Sequence, residues 1–193
     1  ISSAASDVYK RQHYALDSHA VRKREEGRVH LDGFLSYPSA VYTVPYGVMV
    51  PKEVGNLLLP VPVSGSHIGF STLRMEPCWM AMGQAAGIAS ALSIDGKVKV
   101  QNIDLSRLQD KLIDQKATLM YFKDVDYMSP HFRMVQYLGL RGYLPEWDAR
   151  LQEPVDMATL TAWKKLSGKD LPGIEAGKTT RLVALEMIYR KIK

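Results

Sequence analysis

The chain has 193 residues, of which 46% are hydrophobic and 23% charged, a composition typical of globular domains and not of disordered or fibrous chains. Its formal net charge is +5, but basic and acidic residues are mixed, so the sequence lacks the dense basic stripe of nucleic-acid-binding proteins and predicts no nucleic-acid partner. It contains no apolar run of about eighteen residues, which predicts no membrane span.

The first twelve residues differ in character from the rest of the chain. Residues 7–12 spell Asp-Val-Tyr-Lys-Arg-Gln, which resembles the translation of a transposon end used to prepare sequencing libraries. We therefore expect residues 1–12 to be a non-native scar, to be left out of fold reasoning, with the native sequence beginning near His13 inside a longer gene. The alternative is a native, weakly ordered terminal segment.

Residues 13–55 are predicted to be rich in β-structure. Gly33–Tyr37 and Ala40–Val44 are short runs of aromatic and β-branched residues bounded by glycine and proline, which predicts strands. Tyr46–Val50 lies between two prolines and is predicted to be a loop or an edge strand. The continuous apolar run Asn56–Val61 predicts a strand buried on both faces in a parallel sheet.

A polar turn at Ser64–His67 and a helix with many small residues over Arg74–Leu92 are predicted next. Pro77 suits the first turn of this helix, and Glu76 suits the positive end of its dipole. In doubly wound folds, ligands bind at helix N-termini beside the carboxyl ends of strands, where unpaired amides favour an electron-rich group. The residues thus predict an anionic or reducible ligand near Arg74–Cys78.

Residues 98–193 are predicted to form a helical module, with a domain boundary at Gly96–Asn102. Three of the predicted helices follow a capping residue, and the first and the last have a named apolar face. The predicted helices are Leu105–Ala117 after Asp104 or Asn102, Pro130–Leu138, Met157–Leu166 after Asp156, and Arg181–Ile192 after Thr179 or Thr180. The single cysteine, Cys78, excludes an internal disulfide and is predicted to be a small buried residue, and the scattered histidines predict no metal site.

Several blocks in order resemble the C-terminal flavin-binding segment of the FAD-dependent oxidoreductase family, whose members often occur beside polysaccharide-degrading enzymes. The blocks are Asn56–Val61, Ser64–His67, Ser71–Pro77 and Met82–Gly87, with Asp17–His19, Pro45–Gly47 and Pro51 upstream. The resemblance extends roughly from His13 to Leu119.

The resemblance implies an α/β fragment: residues 56–97 as the last strand and helix of a doubly wound flavin-binding domain, and residues 13–55 as a substrate region. It implies FAD as cofactor, hydride transfer with a small-molecule substrate for which a sugar-related compound is the candidate, and a periplasmic or extracellular location. No Gly-x-Gly-x-x-Gly fingerprint for the FAD pyrophosphate occurs, so we expect a missing N-terminal segment, an inactive chain and no tight FAD binding by this chain alone.

The resemblance also implies the site residues. His67 is the candidate acid–base residue, although a hydrogen bond within a turn is an alternative role. Arg74 is either a cofactor contact or an ion-pair residue. The implied cofactor contacts are Ser64, Ser66, Ser71, Thr72, Leu73, Arg74, Met75, Glu76, Pro77 and Gly83.

The C-terminal region carries a second, looser resemblance. Asp124-Val125, Gln136–Pro145 and Thr179–Arg181 resemble a degenerate S-layer-homology-type module. This resemblance implies contact with a cell-wall polymer through residues 124–193 and provides the rival function, a non-catalytic attachment module. The alternative is that these helices are a packing appendage, because isolated repeats rarely stand alone.

Overall fold

The computed structural model describes residues 8–12, 14–19, 26–27 and 33–193. It divides into two compact units, residues 1–112 and residues 113–193. The described residues form six α-helices, two short 3-10 helices and two antiparallel strand pairs. The fold is therefore mixed and rich in helix, which is compatible with the α/β class.

Four short strands belong to the first unit: β1 (Val8–Gln12), β2 (Leu16–His19), β3 (Phe34–Tyr37) and β4 (Tyr42–Val44). β2 pairs with β3 and β1 pairs with β4, both antiparallel, so the described strands form no parallel sheet. The predicted strands Gly33–Tyr37 and Ala40–Val44 are confirmed as β3 and β4.

The segment after β4, predicted to be a loop or an edge strand, contains one short helix. Tyr46–Met49 is a 3-10 helix and not an edge strand, and it buries Tyr46 and Met49. Tyr46 is held by a hydrogen bond from its hydroxyl to the carbonyl oxygen of Val100 (2.9 Å). This short helix therefore anchors the loop to the first unit through a side chain and not through a strand ladder.

The prediction of a buried strand over Asn56–Val61 is wrong. The segment is irregular: Asn56 has a φ of +56° and Leu57 is 38% exposed. The amide of Leu59 donates to Met49 O (2.8 Å), and Pro60 has no N–H to contribute to a ladder. The backbone is thus satisfied by the neighbouring 3-10 helix and by local turns, where a buried strand would need partners on both sides.

Two helices come next: α1 (His67–Leu73) and α2 (Glu76–Gly96). The Ser66 hydroxyl caps α1 by accepting from the amide of Gly69 (3.0 Å). No helix was predicted before Arg74, yet residues 67–73 form α1, and Arg74 and Met75 join it to α2. Pro77 lies in the first turn of α2, as predicted, and Cys78 is buried.

The remaining helices are α3 (Leu105–Asp114), α4 (Phe132–Gly139), α5 (Met157–Ser167) and α6 (Arg181–Ile192). The caps of α3, α5 and α6 are those predicted, whereas α4 has no side-chain cap. Asp104 accepts from the amide of Ser106 (2.9 Å), Asp156 from that of Thr159 (2.7 Å), and Thr180 from that of Val183 (3.4 Å). The division between the two units falls within α3, whereas the predicted domain boundary lies before it.

The second unit has its own hydrophobic core, in which Leu138, Trp163 and Leu185 are at most 1% exposed. Gln136 in α4 is also fully buried, and its side-chain oxygen accepts from the amides of Leu119 and Met120 (both 2.7 Å). The polar group is satisfied, so its burial does not destabilise the core.

Some predictions fall partly outside the described residues. Of the expected scar, residues 1–7 are outside, and β1 is the described remainder; the scar stays a prediction. His13 and residues 20–25 and 28–32 of the predicted substrate region are also outside. Among the described helices, none is long and apolar enough to cross a membrane.

Candidate functional site

The last turn of α1 is bonded to the strands that precede it in the chain. The hydroxyl of Thr72 donates to Tyr14 O (2.5 Å) and lies 2.7 Å from the hydroxyl of Tyr42. The Ser71 hydroxyl donates to Ile68 O (2.6 Å) and accepts from the amide of Asp17 (3.2 Å). Both predicted cofactor contacts therefore use their hydroxyls within the protein.

The side chains in the last turn of α1 are also buried. Ser71, Thr72 and Leu73 are 4%, 7% and 8% exposed. A residue this deeply buried presents little surface to a planar ligand. In this structure, these three residues build the support of the site and do not form its open face.

Arg74, which links α1 to α2, takes part in an ion pair. Its Nη2 lies 2.7 Å from Oδ2 of Asp17, and its Nε donates to Ser71 O (3.2 Å). The guanidinium carbon is 5.8 Å from the ring centroid of Tyr14, within cation–π range. The ion-pair alternative for Arg74 is therefore what the structure contains.

Asp17 is the centre of this polar cluster. Besides Arg74, its carboxylate accepts from the hydroxyl of Tyr14 (3.3 Å) and lies 2.9 Å from Nε2 of His19. The cluster ties β2 to the start of the linker between α1 and α2, so it orients the front of α2.

His67 is the first residue of α1 and is exposed. Its Nε2 lies 2.9 Å from the carbonyl oxygen of His19. A carbonyl can only accept, so this bond requires the proton on Nε2 and leaves Nδ1 as the acceptor of the neutral ring. The structure thus contains the hydrogen bond that was the alternative role of His67, while one ring nitrogen stays available.

The front of α2 is open to solvent. Glu76 and Pro77 are exposed, and Arg74 and Met75 are half-buried. The amides of Cys78 and Trp79 donate to Met75 O (3.0 and 3.1 Å), and Pro77 has no amide hydrogen. The tip therefore keeps the positive end of the helix dipole but offers fewer free donors than most helix N-termini.

The remaining predicted contacts are also accessible. Ser64 and Ser66 are exposed just before α1. Gly83 is half-buried, and a Cβ built on it would meet no atom within 4 Å. Gly83 thus leaves open surface on α2 but does not mediate a close contact within the described residues.

Sequence reasoning missed two contacts of the last turn of α1. The carbonyl oxygen of Tyr14 accepts from the hydroxyl of Thr72, and the hydroxyl of Tyr42 lies 2.7 Å from the same group. Asp17 was singled out only as part of a block, without its role as the partner of Arg74. The signal that could have indicated the pair was an acidic residue within a predicted strand and a single arginine at a helix junction, but their separation of 57 residues hides it from any local pattern.

A helix whose exposed front is supported by a hydrogen-bonded strand region is an arrangement that suits cofactor-binding α/β enzymes. The chain matches the family model of the FAD dependent oxidoreductases over residues 4–112, which is more than half of its length. It belongs to the FAD-dependent oxidoreductase family, and its cofactor is FAD. Neither a curated protein nor a solved structure matches the chain.

The residues fit FAD in part. The exposed front of α2 suits an electron-rich ring edge, because the helix dipole stabilises negative charge there. The buried hydroxyls of Ser71 and Thr72 do not fit a direct contact. Among the described residues, no group of three or more histidine, cysteine, aspartate or glutamate side chains is arranged to hold a metal ion.

Proposed function

We propose that this protein takes part in hydride transfer between FAD and a small-molecule substrate, and that the exposed front of α2 lies against the flavin ring. The observation that carries the proposal is the solvent-open tip at Glu76–Pro77, held in place by the Asp17–Arg74 ion pair. FAD supplies the hydride-accepting or hydride-donating ring when it is bound.

In this proposal, the predicted contacts have two roles. Ser64, Ser66, Met75, Glu76, Pro77 and Gly83 are the accessible candidates for contact with the cofactor. Ser71, Thr72, Leu73 and Arg74 act indirectly by fixing the junction between α1 and α2. We keep the assignment of residues 56–97 to the C-terminal part of the FAD-binding domain. In this assignment α2 is the helix of that part, and Asn56–Val61 is no longer its strand.

His67 remains the proposed acid–base residue, acting through Nδ1. Its Nε2 is oriented by the backbone of β2, so the ring is held in one tautomer. A proton leaving a substrate hydroxyl while hydride goes to the cofactor would be accepted at Nδ1. The substrate region is proposed to include Asp17–His19 and the residues around Tyr42–Tyr46, with a sugar-related molecule as a candidate substrate.

The proposal is tested by photolabelling the full chain with an azido derivative of FAD and mapping the labelled peptides by mass spectrometry. We expect label within residues 64–83 that excess FAD competes away. Labelling confined to residues 113–193, or labelling insensitive to competition, would contradict the proposed flavin contact.

Matched variants sharpen this test. Glu76→Lys changes the charge at the front of α2 and is expected to change the yield of labelling. Glu53→Lys makes the same charge change at another exposed position of the first unit and is expected to leave the yield unchanged. Equal effects of both variants would mean that the yield of labelling depends only on the net charge of the protein.

A further inference from the structure

The second unit contains a cavity of about 90 Å³ that the flavin proposal does not use. It lies beside the start of α6 and the middle of α5. Its walls combine the aromatic rings of Tyr143 and Trp163 with the side chains of Arg150, Arg181, Glu146 and Thr159. A cavity of this size has room for several water molecules or for one small molecule of a few heavy atoms.

Arg181 is the most unusual residue in these walls. It is only 4% exposed, and its Nε donates to Ala149 O (2.8 Å). Within the described part of the chain, its two terminal nitrogens have no hydrogen-bond acceptor, and no carboxylate is close enough to form an ion pair. Its guanidinium carbon lies 5.4 Å from the ring centroid of Trp163. A buried charge is stabilised further by a paired, hydrogen-bonded partner, and the terminal nitrogens of Arg181 are open to one.

Arg150 adds a second unused donor to the same cavity. Its terminal nitrogens face Glu146 (2.6 Å) and Glu153 (3.8 Å), whereas its Nε is buried without a partner among the described residues. Its backbone has a φ of +51° and its amide donates to Asp124 (2.7 Å). The side chain is therefore held at the cavity by the fold.

Two other polar groups of the walls are already satisfied. The hydroxyl of Thr159 donates to Asp156 (2.9 Å), and Nε1 of Trp163 donates to Tyr143 O (2.8 Å). The donors that remain are the two guanidinium groups and the hydroxyl of Tyr143. Such a donor set favours a charged acceptor over a neutral polyol, which needs both donors and acceptors.

We propose that the cavity between Arg150 and Arg181 binds a small oxyanion, a carboxylate or phosphate group, with Arg181 as its ion-pair partner and Nε of Arg150 as a further donor. The planar fork of a guanidinium matches the two oxygens of such a group. This site is independent of the proposed flavin contact, because all its residues lie in the second unit.

The surrounding charges are consistent with this role. Two carboxylates, Glu146 and Glu153, face Arg150, and Asp156 is engaged by Thr159. Burial lowers the pKa of Arg181 and the like charge of Arg150 lowers it further, whereas the more distant Glu146, Asp156 and Glu153 raise it. A bound anion would offset the lowering effects by placing a negative charge in contact with the Arg181 guanidinium.

The test is calorimetric titration of the full chain with acetate and with inorganic phosphate, each up to about 100 mM and at ionic strength matched with chloride. The side-chain Nε resonances of Arg150 and Arg181 are followed by NMR in parallel. We expect saturable binding that shifts both resonances. No saturation in this range, or shifts confined to surface residues, would overturn the proposal.

Three variants distinguish the site from general charge effects. Arg181→Gln is expected to weaken binding by about tenfold or more, since it removes a charged hydrogen-bonding partner. Arg150→Lys keeps the charge and the fold but removes Nε, and is expected to weaken binding less. Lys178→Gln, which alters a side chain that is 79% exposed, removes the same charge as the first variant and is expected to bind like the parent.

The source of the anion is distinguished by a further titration with an oligogalacturonate. If the oligogalacturonate binds more tightly per carboxylate than acetate does, the natural anion is carried on a polymer. If it binds equally or more weakly, the natural anion is a free small acid. Both results support the site. If Arg181→Gln fails to fold, the decision rests on Arg150→Lys, and unchanged affinity together with an unmoved Arg181 resonance would then contradict the proposal.

Discussion

At the residue scale, Thr72 distinguishes a structural role from a direct cofactor contact. Its hydroxyl bonds to Tyr14 O (2.5 Å) and to the hydroxyl of Tyr42 (2.7 Å). Thr72→Val keeps the shape but leaves these groups without their partner, so we expect a loss of about 1–3 kcal/mol in the free energy of unfolding. Hydrogen exchange of α1 in urea measures it.

The control for Thr72 is Ser64→Ala, because Ser64 is exposed. We expect this variant to unfold like the parent. A Thr72→Val variant of parental stability but with lower photolabelling by azido-FAD would show instead that Thr72 contacts the cofactor directly.

Ionisation of Tyr46 is expected to destabilise the first unit at alkaline pH. Burial raises its pKa from 10.0 to about 12, so the folded state holds the phenolic proton more tightly than the unfolded state does. The resulting stabilisation is complete below the unfolded pKa and is lost as pH rises through the folded one. We therefore expect the urea concentration at the unfolding midpoint to decrease as the pH rises from 10.0 to about 12.

The variant that checks this is Tyr46→Phe, which has no ionisable group. Its urea midpoint, read from the circular dichroism of the full chain, is expected to fall less steeply over the same alkaline range. Tyr37→Phe, at a position that is 62% exposed, serves as control and should keep the parental slope. Identical slopes in all three proteins would remove Tyr46 as the cause.

At the scale of elements, helix caps set where the helices of the second unit begin. The carboxylate of Asp156 accepts from the amide of Thr159 (2.7 Å) and from its hydroxyl (2.9 Å) at the start of α5. These bonds lower the pKa of Asp156 from 3.8. The stabilisation is therefore present above this value and is lost as pH falls below it.

Replacing Asp156 with asparagine keeps an acceptor at the cap but removes the titration. We expect Asp156→Asn to flatten the acid limb of the unfolding profile of residues 113–193, followed by circular dichroism and by hydrogen exchange of α5. Asp148→Asn is the matched control. A parental acid limb in the Asp156 variant would rule out the cap as its origin.

The last turn of α1 is buried, whereas the first two residues of α2 are exposed. Capping by Ser66 starts α1, and the extended backbone of Met75 separates it from α2. Because Ser71 and Thr72 lie in the last turn of α1, they face the strands, whereas the front of α2 stays exposed. The position of one helix boundary thus decides which predicted contacts are open to a ligand.

At the scale of the whole molecule, each compact unit buries its own apolar residues. In the second unit, Leu138 is 0% exposed and belongs to the core that also includes Trp163. Leu138→Ala is expected to destabilise residues 113–193 by about 2–5 kcal/mol, since it removes buried methyl groups and leaves a cavity. Hydrogen exchange of α4 and α6 in urea measures the loss.

The control for the core is Leu166→Ala. Leu166 is 50% exposed, so its truncation is expected to change the stability by less than about 0.5 kcal/mol. Comparable losses in both variants would show that the second unit is not organised around the core that contains Leu138 and Trp163.

The amino-acid sequence by itself determined the helices α2 to α6, the caps of α3, α5 and α6, the strands β3 and β4, and the family with its cofactor. These features depend on residues within a few positions of one another: apolar spacing, a capping oxygen, or an ordered series of motifs. That is why α5 and α6 begin where Asp156 and Thr180 predict.

Only the tertiary structure decided which side chains are partners and which predicted contacts are open. Thr72 meets Tyr14 across 58 residues and Arg74 meets Asp17 across 57, separations over which no local pattern carries information. The same holds for Asn56–Val61, where a strand requires neighbours that the described chain does not supply. Pairing and burial are properties of the packed chain, so residue type and spacing alone could not have assigned them.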